Sequence, residues 1–346
     1  MRYTPVIRTL MLLLLLVLAG CAREPLLHKL SGPTMGTTWN VTVSVPATQS
    51  LSRETLVEGI ETQLEAVNAS MSTYRGDSEI SRFNRSPVGE WFSVTPAFQQ
   101  VLSAAIAVGE QSNGAYDVTV GPLVNLWGFG PGGTATTPPE AAAIAATLQR
   151  VGQDKVRFDA QASRVIKSAD IYLDFSSIAK GYAVDAVADW LGAQGINDYL
   201  VEVGGEMRVA GKSPRGDAWR VAIEQPDANQ PGIAGAVRLD AAGIATSGDY
   251  RNFFEAEGVR YSHTIDPRTG YPVEHELVSV TVVHSSTMLA DAWATALTVM
   301  GADEAWSVAQ RLGLAVYLIE RDGEAFSSRH TEAFTPLLEA LPDAQL

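Results

Sequence analysis

Residues 171–205 read IYLDFSSIAKGYAVDAVADWLGAQGINDYLVEVGG, and this stretch indicates the fold class most directly. Its pattern predicts a strand over 171–174, a helix over 177–194 and a second strand over 199–203, followed by Gly204 and Gly205. Strands and helices elsewhere in the chain mix without the regular alternation of a βαβ protein. The sequence therefore predicts an α+β fold, with mixed or antiparallel sheets and packed helices.

The remaining elements follow from the same periodicities. Strict alternation of apolar and polar residues over 38–45 predicts a half-buried strand, and apolar residues at helical spacing predict an amphipathic helix over 53–71. Further helices are expected at 96–112, 140–150, 288–300 and 304–312, and further strands at 164–167, 219–224, 236–240, 259–265, 278–283 and 314–319. The glycine- and proline-rich stretch 127–139 predicts a long loop, which could divide a single domain over 34–346 into two lobes.

The first 20 residues are expected to be a cleaved export signal. Arg2 and Arg8 accompany an apolar run over 10–19, which is shorter than the ~20 residues needed to span a bilayer and suits a signal peptide. The run ends in LAGC at 18–21, which is similar to the bacterial lipobox, where the cysteine is acylated and becomes the new N-terminus. We expect Cys21 to carry the lipid and residues 21–33 to form a tether. The body of the protein would then lie in the periplasm, anchored to a membrane by lipid alone, the inner membrane in preference to the outer.

Charge and cysteine content exclude several classes of protein. The 346 residues include 25 Lys+Arg against 39 Asp+Glu, a formal charge of −14, and no basic run, so no nucleic-acid partner is expected. Cys21 is the single cysteine, which excludes an internal disulfide framework and a cysteine-rich zinc site. The phosphate-loop, HExxH and GxSxG motifs are absent from the sequence.

Two segments place oxygen-bearing side chains where they could bind an anion or a cation. In DFSSIAKG at 174–181, a strand is expected to end near Asp174 and a helix to begin near Ser177, whose free N–H groups can hold an anion. In the helix over 288–300, Asp291 and Thr295 share one face. Together with a third oxygen from the turn at 177 they could bind a hard cation. The alternatives are that Ser177 is only an N-cap and that Asp291 only interacts with the helix dipole.

A third segment, SHTIDPRTG at 262–270, is predicted to be a strand followed by a turn. His263 lies beside Ser262 and Asp266, which favours a catalytic role, although a lone histidine is more often structural. A different interpretation starts from the SxxK spacing of Ser177 and Lys180, which superficially resembles acyl-serine enzymes of the penicillin-binding type. Only that first element of the pattern matches strictly.

A much more specific resemblance covers nearly all of the expected mature chain. The sequence resembles the ApbE family, the FAD:protein FMN transferases. Eight segments carry the resemblance in family order: TMGT at 34–37, STY at 72–74 with DSE at 77–79, YDVTVGPL at 116–123, DFSSIAKG at 174–181, VGG at 203–205, TSGDY at 246–250, SHTIDPRTG at 262–270 and ADAWATA at 290–296.

The resemblance implies a T-fold-like architecture and a Mg²⁺-dependent reaction. Enzymes of this family cleave FAD at its pyrophosphate and join FMN to a Thr or Ser hydroxyl of a target protein, releasing AMP. Their targets are flavin subunits of ion-pumping NADH:quinone reductases and Rnf-type complexes. By position, the FAD site would contain Met35, Tyr74, Ala115, Tyr116, Asp117, Asp174, Lys180, Gly204, Gly205 and Ile265. The Mg²⁺ ligands would be Ser177, Asp291 and Thr295.

Two features of the sequence bear on the implied chemistry. Lys180 departs from family members that carry Glu at this position. His263 is the candidate general base for direct attack by the acceptor hydroxyl, or else a group that orients the acceptor, and Asp266 is the second candidate for the base. The alternative functions are an FAD pyrophosphatase that gives FMN and AMP, a non-catalytic FAD-binding lipoprotein, and the acyl-serine enzyme.

Overall fold

The computed structural model describes residues 25–131, 133, 136–227, 232–248, 252–323 and 325–340. The predicted signal peptide and Cys21 lie outside these residues. The helices are α1 Arg53–Met71, α2 Glu79–Arg85, α3 Pro96–Gln111, α4 Gly121–Leu126, α5 Ala141–Leu148, α6 Ala179–Ala193 and α7 Thr287–Leu312. The strands are β1 Leu26–Thr34, β2 Thr37–Val45, β3 Phe92–Ser93, β4 Val156–Asp159, β5 Arg164–Lys167, β6 Asp198–Val203, β7 Glu206–Ala210, β8 Trp219–Glu224, β9 Ile233–Leu239, β10 Ala241–Gly248, β11 Phe253–Ala256, β12 Val259–Ser262, β13 Leu277–His284, β14 Ala315–Asp322 and β15 Ala325–His330. Short 3₁₀ helices cover Gln153–Lys155 and Glu332–Leu337.

The centre of the fold is an eight-stranded sheet in the order β1-β2-β6-β7-β10-β13-β14-β15. Every neighbouring pair in this sheet is antiparallel. The pairs β8–β9 and β11–β12 and the three strands β3-β5-β4 form smaller antiparallel sheets. The predicted α+β class, with antiparallel sheets and packed helices, is confirmed.

The two faces of the large sheet bury different layers, because successive side chains of a strand point to opposite faces. In β14, Val316 and Leu318 join the core beneath helices α1, α3, α6 and α7, whereas Tyr317 and Ile319 join a second core on the other face. The β8–β9 hairpin and the last 3₁₀ helix cover that second face. A third, smaller apolar cluster lies around α4, α5 and the β11–β12 hairpin.

Two of the sequence predictions are wrong. The predicted tether is wrong over 26–33, because strand β1 pairs with β2 from Leu26 to Thr34 and buries Leu30. The predicted strand over 171–174 is also wrong. The side chain of Asn84 bonds both the N–H and the carbonyl of Leu173, at 2.8 and 2.9 Å, and the Asp174 N–H donates to the Val118 carbonyl at 2.7 Å. These contacts satisfy the extended backbone without a neighbouring strand.

The element that matters most for the site is α7. Its residues form one continuous element, but Gly301 has φ 72° and ψ 173°, so the helix is broken close to where two separate helices were predicted. The first half carries Asp291, which is buried and bonded to Gly181 of α6, and Thr295, which is half-buried. No described helix is both long and apolar enough to cross a bilayer.

Candidate active site

The structure contains a cleft formed by two adjoining cavities of about 360 and about 730 Å³. Five residues line both cavities, which makes the cleft continuous: Tyr74, Asp174, Ser176, Lys180 and Asn252. Tyr74 stands at the rim with 71% of its surface exposed. The cleft can therefore accept an elongated ligand whose two ends differ in environment.

Most of the residues predicted for the site meet in the smaller cavity. Its lining includes Tyr74, Ala115, Tyr116, Asp117, Asp174, Ser177, Lys180, His263, Ile265, Asp291 and Thr295. Met35 lines the larger cavity. Residues separated by more than 250 positions in the chain are thus brought to one place by the packing of α6 and α7 against the sheet.

Three predicted residues lie outside the lining of both cavities. Gly204 and Gly205 have φ of 58° and 103° and form the turn between β6 and β7. A Cβ on Gly204 would lie 3.2 Å from Cδ of Lys180, so this turn packs directly behind the lysine side chain. Asp266 is the third. Its carboxylate accepts hydrogen bonds from Arg268 Nε at 3.0 Å and Nη2 at 2.9 Å, which gives it a turn-stabilising role.

Ser177 lies in the turn just before α6 and contacts Tyr116. The Ser177 hydroxyl and the Tyr116 phenol form a hydrogen bond of 3.0 Å, and Tyr116 is only 2% exposed. Burial raises the pKa of the Tyr116 phenol, so the group stays protonated at neutral pH. Tyr116 therefore fixes the orientation of the Ser177 oxygen at the cavity wall.

Asp291 is held by α6 through a close helix–helix contact. The Gly181 N–H donates to Asp291 Oδ2 at 2.9 Å. A Cβ on Gly181 would lie 2.8 Å from Cβ of Asp291, so only glycine lets the two helices approach this closely. Burial raises the pKa of Asp291, and Lys180 opposes that effect.

The N-terminus of α7 is capped by a different carboxylate. Asp185 of α6 accepts the Thr287 and Met288 N–H groups, each at 3.0 Å, and is paired with Arg208 at 2.9 Å. The helix-dipole role considered for Asp291 is therefore performed by Asp185. Among the described residues, Asp291 has one hydrogen bond, and burial disfavours its charge.

Glu206 is a site residue that sequence reasoning missed. It is 3% exposed and lines the smaller cavity. Its Oε1 forms an ion pair with Lys180 Nζ at 2.6 Å. Its other oxygen, Oε2, is buried with no hydrogen-bond partner among the described residues. Its position just after Gly204 and Gly205 was the available signal, because it places a carboxylate beside the turn that packs against Lys180.

The smaller cavity is strongly acidic. Its lining contains four carboxylates, Asp117, Asp174, Glu206 and Asp291, against one lysine, Lys180. The described residues contain no cluster of three or more His, Cys, Asp or Glu side chains suited to a metal ion. The predicted ligand set has one carboxylate, Asp291, and the hydroxyls of Ser177 and Thr295, and all three residues line this cavity. This oxygen set, together with the buried and unpaired Oε2 of Glu206, fits a hard cation that keeps several waters.

His263 lies across the cavity with a defined tautomer. Its Nδ1 is 3.0 Å from the Asn252 carbonyl oxygen, and its ring packs edge-on against Phe129. Because a carbonyl can only accept, Nδ1 carries the proton and Nε2 is the basic nitrogen of the neutral ring. Asn252 is a second residue that sequence reasoning missed.

Comparison with known proteins identifies the family of the chain. The model of the ApbE family matches residues 35–318. A Haemophilus influenzae protein named FAD:protein FMN transferase is 42% identical over 329 residues, which cover 94% of this chain and 95% of that protein. The solved flavin transferase ApbE from Vibrio cholerae has a TM-score of 0.84 at 41% identity, covering 91% of this chain and 100% of that one.

A second solved structure, the apo form of the flavinyl transferase ApbE from Pseudomonas stutzeri, has a TM-score of 0.85 at 40% identity. It covers 93% of this chain and 100% of its own. The helices and antiparallel sheets described above are thus those of solved ApbE proteins. The family match extends over most of the chain, and on this evidence the chain belongs to the ApbE family.

Proposed function

We propose that this protein transfers FMN from FAD to a Thr or Ser hydroxyl of a target flavoprotein subunit and releases AMP, in a reaction that requires Mg²⁺. The relatives that cover nearly the whole chain carry the name FAD:protein FMN transferase, which supports the reaction. The observation that carries the proposal is the acidic smaller cavity of the cleft. Its four carboxylates outnumber its one lysine, so they would repel an anionic dinucleotide unless a cation intervened.

Ser177, Asp291 and Thr295 are the residues that would hold Mg²⁺. When bound, this cation supplies charge neutralisation at the pyrophosphate and polarises its oxygens. Of the three residues, Asp291 contributes the formal charge, and Ser177 and Thr295 contribute neutral oxygens. Gly181 and Tyr116 support this set, because they bond Asp291 and Ser177 respectively.

The remaining cleft residues suit the flavin nucleotide. Met35 lines the larger cavity, and Tyr74 and Asp174 line both cavities. Ala115, Tyr116 and Ile265 are buried around the smaller cavity, and Asp117 is half-buried there. Lys180 is the cation available to phosphate oxygens in this cavity.

His263 is the proposed general base. Its basic Nε2 takes the proton of the acceptor hydroxyl while that oxygen forms a bond to the FMN-side phosphorus. The bond from this phosphorus to the bridging oxygen breaks, and AMP leaves with that oxygen. The Asn252 carbonyl holds the Nδ1 proton throughout and keeps the ring in the required tautomer.

The partners and location are part of the same proposal. The acceptors would be flavin subunits of ion-pumping NADH:quinone reductases or Rnf-type complexes. Cys21 would carry a lipid after removal of residues 1–20, so that the enzyme works in the periplasm at a membrane surface. The sequence support is the LAGC motif at 18–21.

The test uses the purified chain beginning at Arg23 with FAD, Mg²⁺ and a Thr-bearing peptide from a flavin subunit, read by mass spectrometry. We expect the peptide to gain the mass of FMN, and a matched peptide with Val in place of Thr to remain unmodified. AMP release without peptide modification would indicate an FAD pyrophosphatase. FAD binding with neither product would indicate a non-catalytic flavin-binding protein.

A further inference from the structure

The contact between Lys180 and Glu206 has a consequence for cation binding at Asp291. Lys180 leaves the first turn of α6, and Glu206 is the first residue of β7. Their 2.6 Å contact is the ion pair that Lys180 makes among the described residues. Glu206 therefore holds the Lys180 side chain in place, although both side chains line the cavity that contains Asp291.

Three ionisable groups line this cavity close to the ion pair, and two of them, Glu206 and Asp291, are acidic against one base, Lys180. Burial acts to lower the pKa of Lys180, but Asp291 and Glu206 outweigh that effect and raise it, so the ammonium stays charged. Burial raises the pKa of Glu206, and the charge of Asp291 raises it further. Two carboxylates thus repel each other across a buried site that holds one lysine, and a divalent cation at Asp291 would relieve that repulsion.

The unpaired oxygen of Glu206 points to the same role. Oε2 is buried without a hydrogen-bond partner among the described residues, an arrangement that disfavours folding. A side chain selected only to anchor Lys180 would be expected to have both oxygens bonded. Glu202, which lies on the preceding strand, shows that pattern: Oε1 accepts from the Gly205 N–H and Oε2 from Asn40.

We propose that Glu206 is a positioning residue: it holds the Lys180 ammonium in the cavity wall, so that Lys180 does not close on Asp291 and Asp291 remains open to the divalent cation. Lys180 then stays directed at the phosphate groups of the substrate, while the carboxylate of Glu206 adds to the attraction for the cation. This inference rests on the proposed function insofar as the cation serves the reaction.

The experiment measures Mn²⁺ binding by electron paramagnetic resonance, with Mn²⁺ as the probe for the Mg²⁺ site and FAD absent. Glu206→Gln should weaken Mn²⁺ binding about 10–100-fold, the usual effect of losing a group that supports a metal ligand. Glu206→Ala, which removes both the charge and the contact, should weaken it at least as much. Glu202→Gln is the matched control, and it should leave the affinity within about threefold of wild type because both oxygens of Glu202 are bonded elsewhere.

A double-mutant cycle separates positioning from simple loss of charge. Removing a positive charge by Lys180→Met should tighten Mn²⁺ binding in any background. If Glu206 restrains Lys180, the tightening is at least about threefold larger in Glu206→Gln than in wild type. Equal tightening in both backgrounds, or unchanged Mn²⁺ affinity in Glu206→Gln and Glu206→Ala, would overturn the proposal, as would absence of Mn²⁺ binding by the wild-type protein.

The same samples are then tested for FMN transfer, so that the two proposals fail separately. Transfer by wild-type protein without the predicted pattern of Mn²⁺ binding removes the role of Glu206 and leaves the function intact. The predicted Mn²⁺ pattern without transfer to any peptide removes the function and leaves the electrostatic role of Glu206 standing.

Discussion

Replacing Asp291 by Asn should abolish cation-dependent activity while making the fold slightly more stable. The amide keeps an oxygen that can accept the Gly181 N–H, now bonded to the carboxylate at 2.9 Å. The charge that disappears is one that burial disfavours, since burial raises the pKa of Asp291. Activity and stability are therefore expected to change in opposite directions, as is typical of functional residues.

The magnitudes follow from the contacts. The substitution weakens a charge-assisted hydrogen bond, which lowers the free energy of unfolding by about 1 kcal/mol. It also removes a buried charge, which raises the free energy of unfolding by about 2 kcal/mol. The net gain is ~1 kcal/mol, or about 2–4 °C in Tm for a domain of this size. The rate of FMN transfer should fall by more than ~100-fold, because changes to groups that only support a ligand already cost 10–100-fold.

The assay is thermal unfolding with and without Mg²⁺, together with single-turnover transfer. Wild-type Tm should rise with Mg²⁺, since a ligand that binds only the folded state stabilises it, and the Tm of Asp291→Asn should not. Asp303→Asn, on the same helix with a fully exposed side chain, is the matched control for the change of charge. A raised folded-state pKa means that Asp291 lowers stability as pH rises between its unfolded and folded pKa values. In EDTA the advantage of the variant should therefore grow over that interval. Full activity of Asp291→Asn, or a persistent Mg²⁺-dependent rise in its Tm, would refute the reasoning.

Three further predictions concern the base, the helix contact and the anchor. His263→Ala should slow single-turnover transfer by ~10²–10⁴-fold with little change in the Kd for FAD; equal losses in both would mark His263 as structural. Gly181→Ala should lower the Tm and weaken Mg²⁺ binding together, because a Cβ there meets Asp291 at 2.8 Å, and wild-type values for both in thermal and calorimetric measurements would show that the helices have room to adjust. Cys21→Ser should leave an unprocessed or soluble protein in cell fractions, whereas a purified chain starting at Arg23 keeps its transfer activity; lipid labelling of the Cys21→Ser protein would contradict the assignment of the anchor.

The sequence patterns predicted regular elements with one apolar face well. Strand β2 and helix α1 alternate or repeat cleanly, and their predicted ranges 38–45 and 53–71 agree with Thr37–Val45 and Arg53–Met71. Such patterns arise where one face is buried continuously. The sequence also predicted that Asp291 and Thr295 share one helix face, because residues four apart on a helix lie on the same side.

The elements that were missed lack such a face. Strand β1 lies at the edge of the sheet, includes Gly32 and Pro33, and buries little besides Leu30, so its residues show no alternation. The segment 171–174 has the composition of a strand, but a side chain distant in sequence, that of Asn84, takes the place of a neighbouring strand. Periodicity cannot reveal a partner of that kind.

The site residues that were missed depend on tertiary contacts. Glu206 reads as an ordinary charged residue at the start of a strand, and its burial beside Lys180 results from the folding of distant segments together. Asn252 acts through its backbone carbonyl, to which side-chain chemistry gives no clue. Family resemblance predicted the residues of the cleft, whereas the arrangement of charges within it depends on the three-dimensional packing.

The most direct test of the central claim is a single turnover with FAD, Mg²⁺ and the Thr-bearing peptide in water enriched in ¹⁸O. Direct attack by the acceptor hydroxyl predicts one AMP for each FMN-modified peptide, with no ¹⁸O in either product, because every oxygen comes from FAD or the peptide. Incorporation of one ¹⁸O into free FMN or AMP, with the peptide unmodified, would show that water is the acceptor and would contradict the proposed transfer.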